Sequence, residues 1–212
     1  MEARTVHLFV LDTLADWETG YAVAGINQAM YQKEPGRYVV RTVGATRDPV
    51  RTMGGVTIVP DLALDEVTPG ESAMLILPGA QAWEAGEHGA AVEKARAFLD
   101  AGVPVAAICG ATWGLAAGGV LDGRRHTSNA LEYLQSAPGY GGEAGYADEP
   151  AVRDGDLITA GAVHPVDFAR KVFERLEVYD APVLEAWYAL YKHGDPAGFY
   201  AMGASEGAPE GA

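Results

Sequence analysis

Cys109, the sole cysteine of this 212-residue chain, stands between an apolar run, PVAAI, and a run of small residues, GATWGLAAGG. The first run is typical of a buried parallel strand and the second of a helix. A side chain at such a strand-to-helix turn projects out of the sheet, and the first N–H groups of the helix point towards it. Their partial positive charge favours thiolate, which is the nucleophile. The alternative is an inert, buried thiol, because free cysteines are among the most buried residues.

The residues around this turn suit a site that brings backbone amides close to a reacting oxygen. Gly110 and Ala111 carry little or no side chain, so an oxygen can approach their amides. In open parallel sheets, ligands bind outside the carboxyl ends of the strands. Besides the thiol, three residues follow predicted strands and are expected at that edge: Glu18, Gly79 and His164.

Apolar strand-sized runs alternate with helical patterns along the chain, which is typical of a parallel sheet covered by helices on both faces. Strands are predicted at residues 6–11, 38–43, 54–59, 73–77, 104–108 and 125–128. Helices are predicted at residues 16–32, 89–101, 130–135, 166–176 and 183–192, and directly after Cys109. Asp154 and Gly155 supply the turn of a predicted hairpin over residues 150–160. We expect a single domain over residues 1–202 and a disordered tail over residues 203–212, which are rich in Gly, Ala, Pro, Glu and Ser.

Composition narrows the function classes. The chain has 29 acidic and 15 basic residues and a net charge of −14, which opposes binding to nucleic acids and to anionic membranes. Cysteine-pair metal motifs are absent from the sequence and its five histidines are scattered, so no metal is expected. We find no membrane-length apolar stretch and no cleavable signal, and a cytoplasmic location is therefore expected.

Three segments in this order carry a resemblance to a known family: VLDTLADWE at residues 10–18, LILPGA at residues 75–80 and AAICGA at residues 106–111. The hairpin and the DFA sequence at residues 167–169 also fit. The set resembles the ThiJ/PfpI family, within the class I glutamine amidotransferase-like superfamily, up to about residue 178. The resemblance implies a flavodoxin-like three-layer α/β sandwich with a mostly parallel central sheet and a Cys nucleophile elbow.

The resemblance also implies roles for individual residues. Cys109 is the nucleophile and Glu18 is the carboxylic acid beside it, while the amides of Gly79, Ala80 and Gly110 bind an oxyanion. A protonated Glu18 can donate a hydrogen bond to sulfur and favour thiolate, whereas an ionised carboxylate would repel it. The two groups therefore form a coupled pair. No cofactor is implied.

The histidines depart from the family pattern. Protease-like and amidotransferase-like members place a histidine directly after the cysteine or further along in a triad, but Gly110 follows Cys109 here. Another branch has a histidine after a short strand, and alignment puts Asn129 at that position and His126 three residues earlier. Side chains three residues apart on a strand lie on opposite faces, so His126 is expected to point elsewhere. His164 remains a candidate general base, with an ordinary loop histidine as the alternative.

The resemblance implies a cysteine-dependent enzyme that acts on small electrophilic carbonyl compounds such as a 2-oxoaldehyde, as a glyoxalase, deglycase, hydrolase or lyase. Two alternatives stay open. One is a non-enzymatic redox sensor or stress-response protein in which Cys109 is oxidised to a sulfinate held by Glu18. The other is an intracellular peptidase or amidase, which the missing neighbouring histidine disfavours. The resemblance also implies a homodimer.

Overall fold

The computed structural model describes residues 3–206. Its strands are β1 (Arg4–Phe9), β2 (Tyr38–Gly44), β3 (Val50–Arg51), β4 (Thr57–Ile58), β5 (Leu62–Ala63), β6 (Ser72–Leu77), β7 (Val105–Ile108), β8 (Ala151–Asp154) and β9 (Leu157–Ala160). Its α-helices are α1 (Asp16–Asn27), α2 (Gly89–Asp100), α3 (Gly110–Ala117), α4 (Leu131–Gln135), α5 (Pro165–Leu176), α6 (Ala181–His193) and α7 (Ala197–Glu206). Short 3-10 helices lie at Leu64–Glu66, Pro69–Glu71, Gln81–Trp83 and Glu143–Gly145.

The main sheet of the described residues has seven strands in the order β5-β2-β1-β6-β7-β9-β8. Every pair in it is parallel except β8 with β9, which form the predicted hairpin. Helices α1 and α5 pack against each other on one face, and α2 and α3 pack on the other. This is the predicted flavodoxin-like three-layer α/β sandwich.

The strand order places the ligand-binding edge. The chain moves from β1 to β2 in one direction and from β1 through β6 and β7 to β9 in the other, so the order reverses between β1 and β6. Loops that leave the carboxyl ends of these two strands turn to opposite faces and open a crevice between them. Strands β6 and β7 lie in the middle of the sheet and are buried throughout, which explains their unbroken apolar sequences.

Several predicted elements differ from the structure. Helix α1 ends at Asn27 and does not reach Gln32, because the Gln32 side chain turns back and donates to the carbonyls of Gly25 and Ile26 at 2.8 and 2.9 Å. These bonds satisfy carbonyls that the last turn of a helix leaves without partners. The strand predicted at residues 54–59 is only the short β4, which pairs with β3 outside the main sheet.

Two further predictions need correction. The strand predicted at residues 125–128 is a single bridge between His126 and Tyr146, and the segment is otherwise held by side-chain bonds such as Thr127 N–H to Thr159 Oγ1 at 2.9 Å. The predicted disordered tail begins too early, since α7 continues through Glu206 and its Met202 is buried. The remainder of that tail, residues 207–212, lies outside the described residues. Across residues 3–206, the helices are too short or too polar to span a bilayer.

Candidate active site

Cys109 occupies a sharp elbow between β7 and α3. Its backbone has φ 57° and ψ −124°, in the positive-φ region that non-glycine residues seldom adopt. A bond from Cys109 N–H to the Ala160 carbonyl, at 3.0 Å, holds the elbow to the end of β9. Such strain persists only where the surroundings enforce it, and it is concentrated at functional sites. The predicted nucleophile elbow is therefore present, and the thiol is partly exposed.

Glu18 reaches the thiol from the first turn of α1. Its side chain is only 1% exposed, and its Oε2 accepts a hydrogen bond from Gly79 N–H at 2.6 Å. The Gly79 carbonyl in turn accepts from Ala15 N–H at 3.0 Å, so the loops after β1 and β6 hold each other. This places the carboxylate at the point where the strand order reverses, beside Cys109.

Two positions of the site must be glycine because neighbouring atoms lie too close to leave room for a side chain. A Cβ at Gly79 would lie 2.6 Å from Glu18 Oε2 and 2.7 Å from Cys109 Cβ. A Cβ at Gly110 would lie 2.8 Å from the Ala80 carbonyl oxygen. Any larger residue would therefore push the carboxylate, the thiol and the Ala80 loop apart.

The predicted set of oxyanion donors needs one change. The Gly79 amide is used by the Glu18 carboxylate, so it positions the acid and is not free for a substrate oxygen. The Gly110 amide lowers the pKa of the Cys109 thiol and thus acts on the sulfur. The Ala80 amide nitrogen would lie 3.3 Å from a Cβ placed at Gly110. Ala80 and the first turn of α3 thus carry the amides that flank the elbow.

Asn129, a possible site residue on the sequence, contacts the sulfur of Cys109. Its Nδ2 donates to Cys109 Sγ at 3.5 Å, while its Oδ1 accepts from Ala162 N–H at 2.8 Å. The second bond decides which end of the amide faces the sulfur, because the carbonyl oxygen is already turned to the backbone. An uncharged donor therefore stands where the related branch carries a histidine.

Burial and like charge set the protonation of the pair. Burial raises the pKa of Glu18 to about 6, against opposing hydrogen bonds from Cys109 and Gly79. Burial, followed by the neighbouring Glu18 charge, raises the pKa of the Cys109 thiol to about 11, although Asn129 and the Gly110 amide oppose the shift. Both shifts are towards the protonated forms, so they do not support a resting thiolate beside Glu18, and the two groups titrate as a coupled pair.

The two candidate histidines have other partners. His126 is fully buried, and its ring nitrogens contact the Arg124 carbonyl oxygen at 2.8 Å and the Tyr140 hydroxyl at 2.7 Å. This agrees with the expectation that it points elsewhere. His164 stands at the start of α5, and its Nδ1 lies 3.6 Å from Asp167 Oδ2. The structure thus gives the candidate base a carboxylate as its neighbour.

Sequence reasoning missed the polar support behind the elbow. Thr112 Oγ1 donates to the Cys109 carbonyl at 2.6 Å and lies 2.6 Å from Ser128 Oγ. The bond to the carbonyl is a local one that a Thr three residues after the cysteine could have suggested, but the bond to Ser128 joins distant segments. Within residues 3–206, no group of three or more His, Cys, Asp or Glu side chains is arranged to hold a metal ion.

The elbow, the buried acid and the sheet order agree with a comparison of the sequence with family models. Residues 4–175 match the model of the DJ-1/PfpI family. The chain belongs to the DJ-1/PfpI family. This confirms the resemblance carried by the three segments around Glu18, Gly79 and Cys109.

Relatives within the DJ-1/PfpI family carry different activity names. The chain is 41% identical over 204 residues to "Uncharacterized protease YoaZ" of Bacillus subtilis (strain 168), covering 95% of this chain and 97% of that one. It is 44% identical over 75 residues to "Deglycase PfpI" of Pyrococcus furiosus, covering 35% of this chain and 45% of that one. The crystal structure of a thiJ/pfpI family protein from Bacillus anthracis is also similar. It has a TM-score of 0.90 and 42% identity, and the match covers 97% of this chain and 98% of the other.

Proposed function

We propose that this protein is a cysteine-dependent enzyme that acts on small electrophilic carbonyl compounds, with a 2-oxoaldehyde such as methylglyoxal as substrate. The observation that carries the proposal is the contact of a buried carboxylate with a thiol on a strained elbow. Glu18 receives hydrogen bonds from Gly79 and from the thiol, and no cation neutralises it among the contacts of the described residues. An acid with a pKa of about 6 can take a proton and return it near neutral pH.

The first step uses Glu18 as a general base. As the sulfur of Cys109 bonds to the aldehyde carbon, the thiol proton passes to the Glu18 carboxylate and the carbonyl electron pair moves to oxygen. Thiolate therefore forms only when a substrate is present to consume it, which suits a thiol with a raised pKa. The proton on Glu18 then neutralises the oxygen and leaves a hemithioacetal.

The later steps convert the hemithioacetal to a 2-hydroxy acid. Glu18 removes the hydrogen on the former aldehyde carbon as a proton, and the electron pair moves through the neighbouring carbonyl to form an enediolate. Return of a proton to the neighbouring carbon gives a thioester, which water hydrolyses to free the thiol. The sum is one aldehyde and one water to one 2-hydroxy acid, with no external oxidant.

Backbone amides stabilise the charge that develops on oxygen. The Ala80 amide lies against Gly110, the residue after Cys109, and Gly110 and Ala111 supply the first amides of α3. The first N–H groups of a helix have no partner within the helix, so they can bond an oxygen that carries negative charge. The Asn129 amide keeps the sulfur aimed between these donors and Glu18.

Turnover of methylglyoxal to lactate tests the proposal. Cys109→Ser should lose at least about a thousandfold in kcat/KM, because the hydroxyl is a far weaker nucleophile. The control is Thr46→Ser in an exposed loop, which should keep full activity. Full activity in Cys109→Ser would overturn the mechanism, and absence of lactate formation by the wild type would overturn the function.

A redox-sensing role is the second candidate, and one observation favours it. The Gly110 amide and Asn129 Nδ2 both donate towards the sulfur, so they could hold sulfinate oxygens. Mass spectrometry after mild peroxide treatment should then show two added oxygens at Cys109 in a protein without carbonyl turnover. Cleavage of a casein substrate that depends on Cys109 would instead support the peptidase reading that the name of the Bacillus subtilis relative suggests.

A further inference from the structure

A hydrogen bond between the Tyr133 phenol and the Glu84 carboxylate joins two segments that follow residues of the site. Tyr133 Oη donates to Glu84 Oε1 at 2.8 Å, across 49 residues of sequence. Glu84 directly follows the 3-10 helix Gln81–Trp83, which begins after the Ala80 loop of the site. Tyr133 lies on α4, which begins two residues after Asn129, the donor to the sulfur. The bond therefore joins the segment that follows the Ala80 loop to the helix that follows Asn129.

The backbone of Tyr133 is tied to the helix that carries the elbow. Ser136 Oγ donates to the Tyr133 carbonyl at 2.6 Å and accepts from Trp113 Nε1 at 2.9 Å. Trp113 lies one helical turn after Cys109 in α3. The phenol is thus held at a defined place relative to the thiol and does not sit on a free loop.

The surroundings of the Tyr133 phenol favour its neutral form. Burial raises the pKa of Tyr133, and the charges of Glu84, Cys109 and Glu18 raise it further. Tyr133 therefore stays a neutral phenol at physiological pH. Because its hydroxyl hydrogen is given to Glu84, the phenolic oxygen offers lone pairs to any other partner. Glu84 is exposed and, as a carboxylate, also offers only acceptors.

We propose that Tyr133 is a specificity-determining residue, whose phenolic oxygen, oriented by Glu84, accepts a hydrogen bond from a hydroxyl or amino group beside the carbonyl of the substrate. The inference rests on the proposed function and narrows its substrate class to carbonyl compounds that carry such a donor. A site that presents acceptors penalises a substrate without a donor, because the acceptors lose water and gain no partner.

Two aldehydes that differ by one hydroxyl test this inference. Hydroxypyruvaldehyde carries the hydroxyl and methylglyoxal lacks it. We expect the wild type to prefer hydroxypyruvaldehyde by about tenfold in kcat/KM, the size of one good hydrogen bond. Tyr133→Phe should remove this preference by raising KM for hydroxypyruvaldehyde, while kcat/KM for methylglyoxal stays within about twofold. Glu84→Gln, which leaves the phenol less firmly oriented, should remove part of the preference.

The control is Tyr191→Phe, which removes a half-exposed phenol on α6 and should keep the wild-type preference. Alkylation of Cys109 by iodoacetamide and thermal unfolding check that each variant keeps its fold, and Glu84→Gln carries the test if Tyr133→Phe does not fold. An equal loss for both aldehydes in Tyr133→Phe, or an unchanged preference, overturns the inference alone. Absence of turnover of either aldehyde by the wild type overturns the proposed function and this inference with it.

Discussion

Two buried carboxylates of this protein have opposite surroundings. Glu18 is 1% exposed and Asp167 is 6% exposed, so both have left water almost completely. Asp167 contacts Lys192 Nζ at 2.6 Å and the Tyr188 hydroxyl at 2.7 Å. Glu18 instead contacts one backbone N–H and a thiol. One carboxylate is neutralised by a cation and the other is not.

The difference appears in the proton affinity of the two groups. Burial alone would raise the pKa of Asp167, but Lys192 and Tyr188 outweigh it and the pKa is lowered. At Glu18 burial prevails, and the pKa is raised to about 6. A compensated carboxylate stabilises the packing of α5 on α6, whereas an uncompensated one remains able to exchange a proton. Such perturbed groups are concentrated at functional sites.

The largest effect is expected on catalytic activity, which should depend on Glu18 and not on Asp167. Glu18→Gln keeps an acceptor for the Gly79 amide but cannot take the thiol proton, so kcat/KM for methylglyoxal should fall by about a hundredfold or more. Asp167→Asn is the matched change in a residue without a role in the proposed chemistry, and it should stay within about threefold. Equal losses in the two variants would show that Glu18 has no special part in the reaction.

Stability should respond to pH in opposite directions at the two sites. The folded pKa of Glu18 lies above the ordinary value of 4.5, so this group opposes folding as pH rises through 4.5 to about 6. Glu18→Gln should therefore raise the free energy of unfolding by up to about 2 kcal/mol above pH 6 and change it little below pH 4.5.

Asp167 has a lowered folded pKa, so its contribution to stability is present above the ordinary pKa of 3.8 and is lost as pH falls below that value. Asp167→Asn should lower the free energy of unfolding by about 3 kcal/mol at pH 7, because Lys192 is left without its partner. Urea titrations at pH 4 and pH 7 measure the Glu18 effect, and titrations at pH 7 and below pH 3.8 measure the Asp167 effect. The same sign of pH dependence in both variants would contradict this account.

The smallest effect is expected at His164, which the structure places in the neighbourhood of Asp167. His164→Gln should change kcat/KM by less than about threefold, since the ring contacts Asp167 and not the reacting sulfur. Asn129→Ala is the contrasting change, and loss of its bond to Cys109 Sγ should cost about tenfold. A large loss in His164→Gln with an unaffected Asn129→Ala would restore the histidine as the base.

Residues that directly follow strands were the easiest to place from the sequence. Cys109 follows β7, Gly79 follows β6 and Glu18 lies in the first turn of the helix after β1, and parallel pairing brings the ends of these strands to one edge. His164 follows β9 at the same edge, but its ring turns towards Asp167. The topology thus decides which residues lie at the carboxyl edge of the sheet. The direction of each side chain there depends on the contacts within its own loop.

The sequence could not predict hydrogen bonds between distant residues or the proton affinities of the site. The bond between Tyr133 and Glu84 joins loops whose local patterns predict only turns and short helices. The expectation of a resting thiolate depends on which member of the pair holds the proton. That choice is set by the burial of Glu18 and Cys109 together, and the sequence contains no measure of it.

By itself, the sequence determined the strand and helix alternation, the elbow at the cysteine and membership of the DJ-1/PfpI family, because these depend on local patterns and on ordered short motifs. Only the tertiary structure decided that the Gly79 amide holds Glu18, that Asn129 and not a histidine faces the sulfur, and that Tyr133 bonds Glu84. The reason is physical: hydrogen bonds and charge compensation act over a few ångströms in space, between groups that the chain separates by tens of residues.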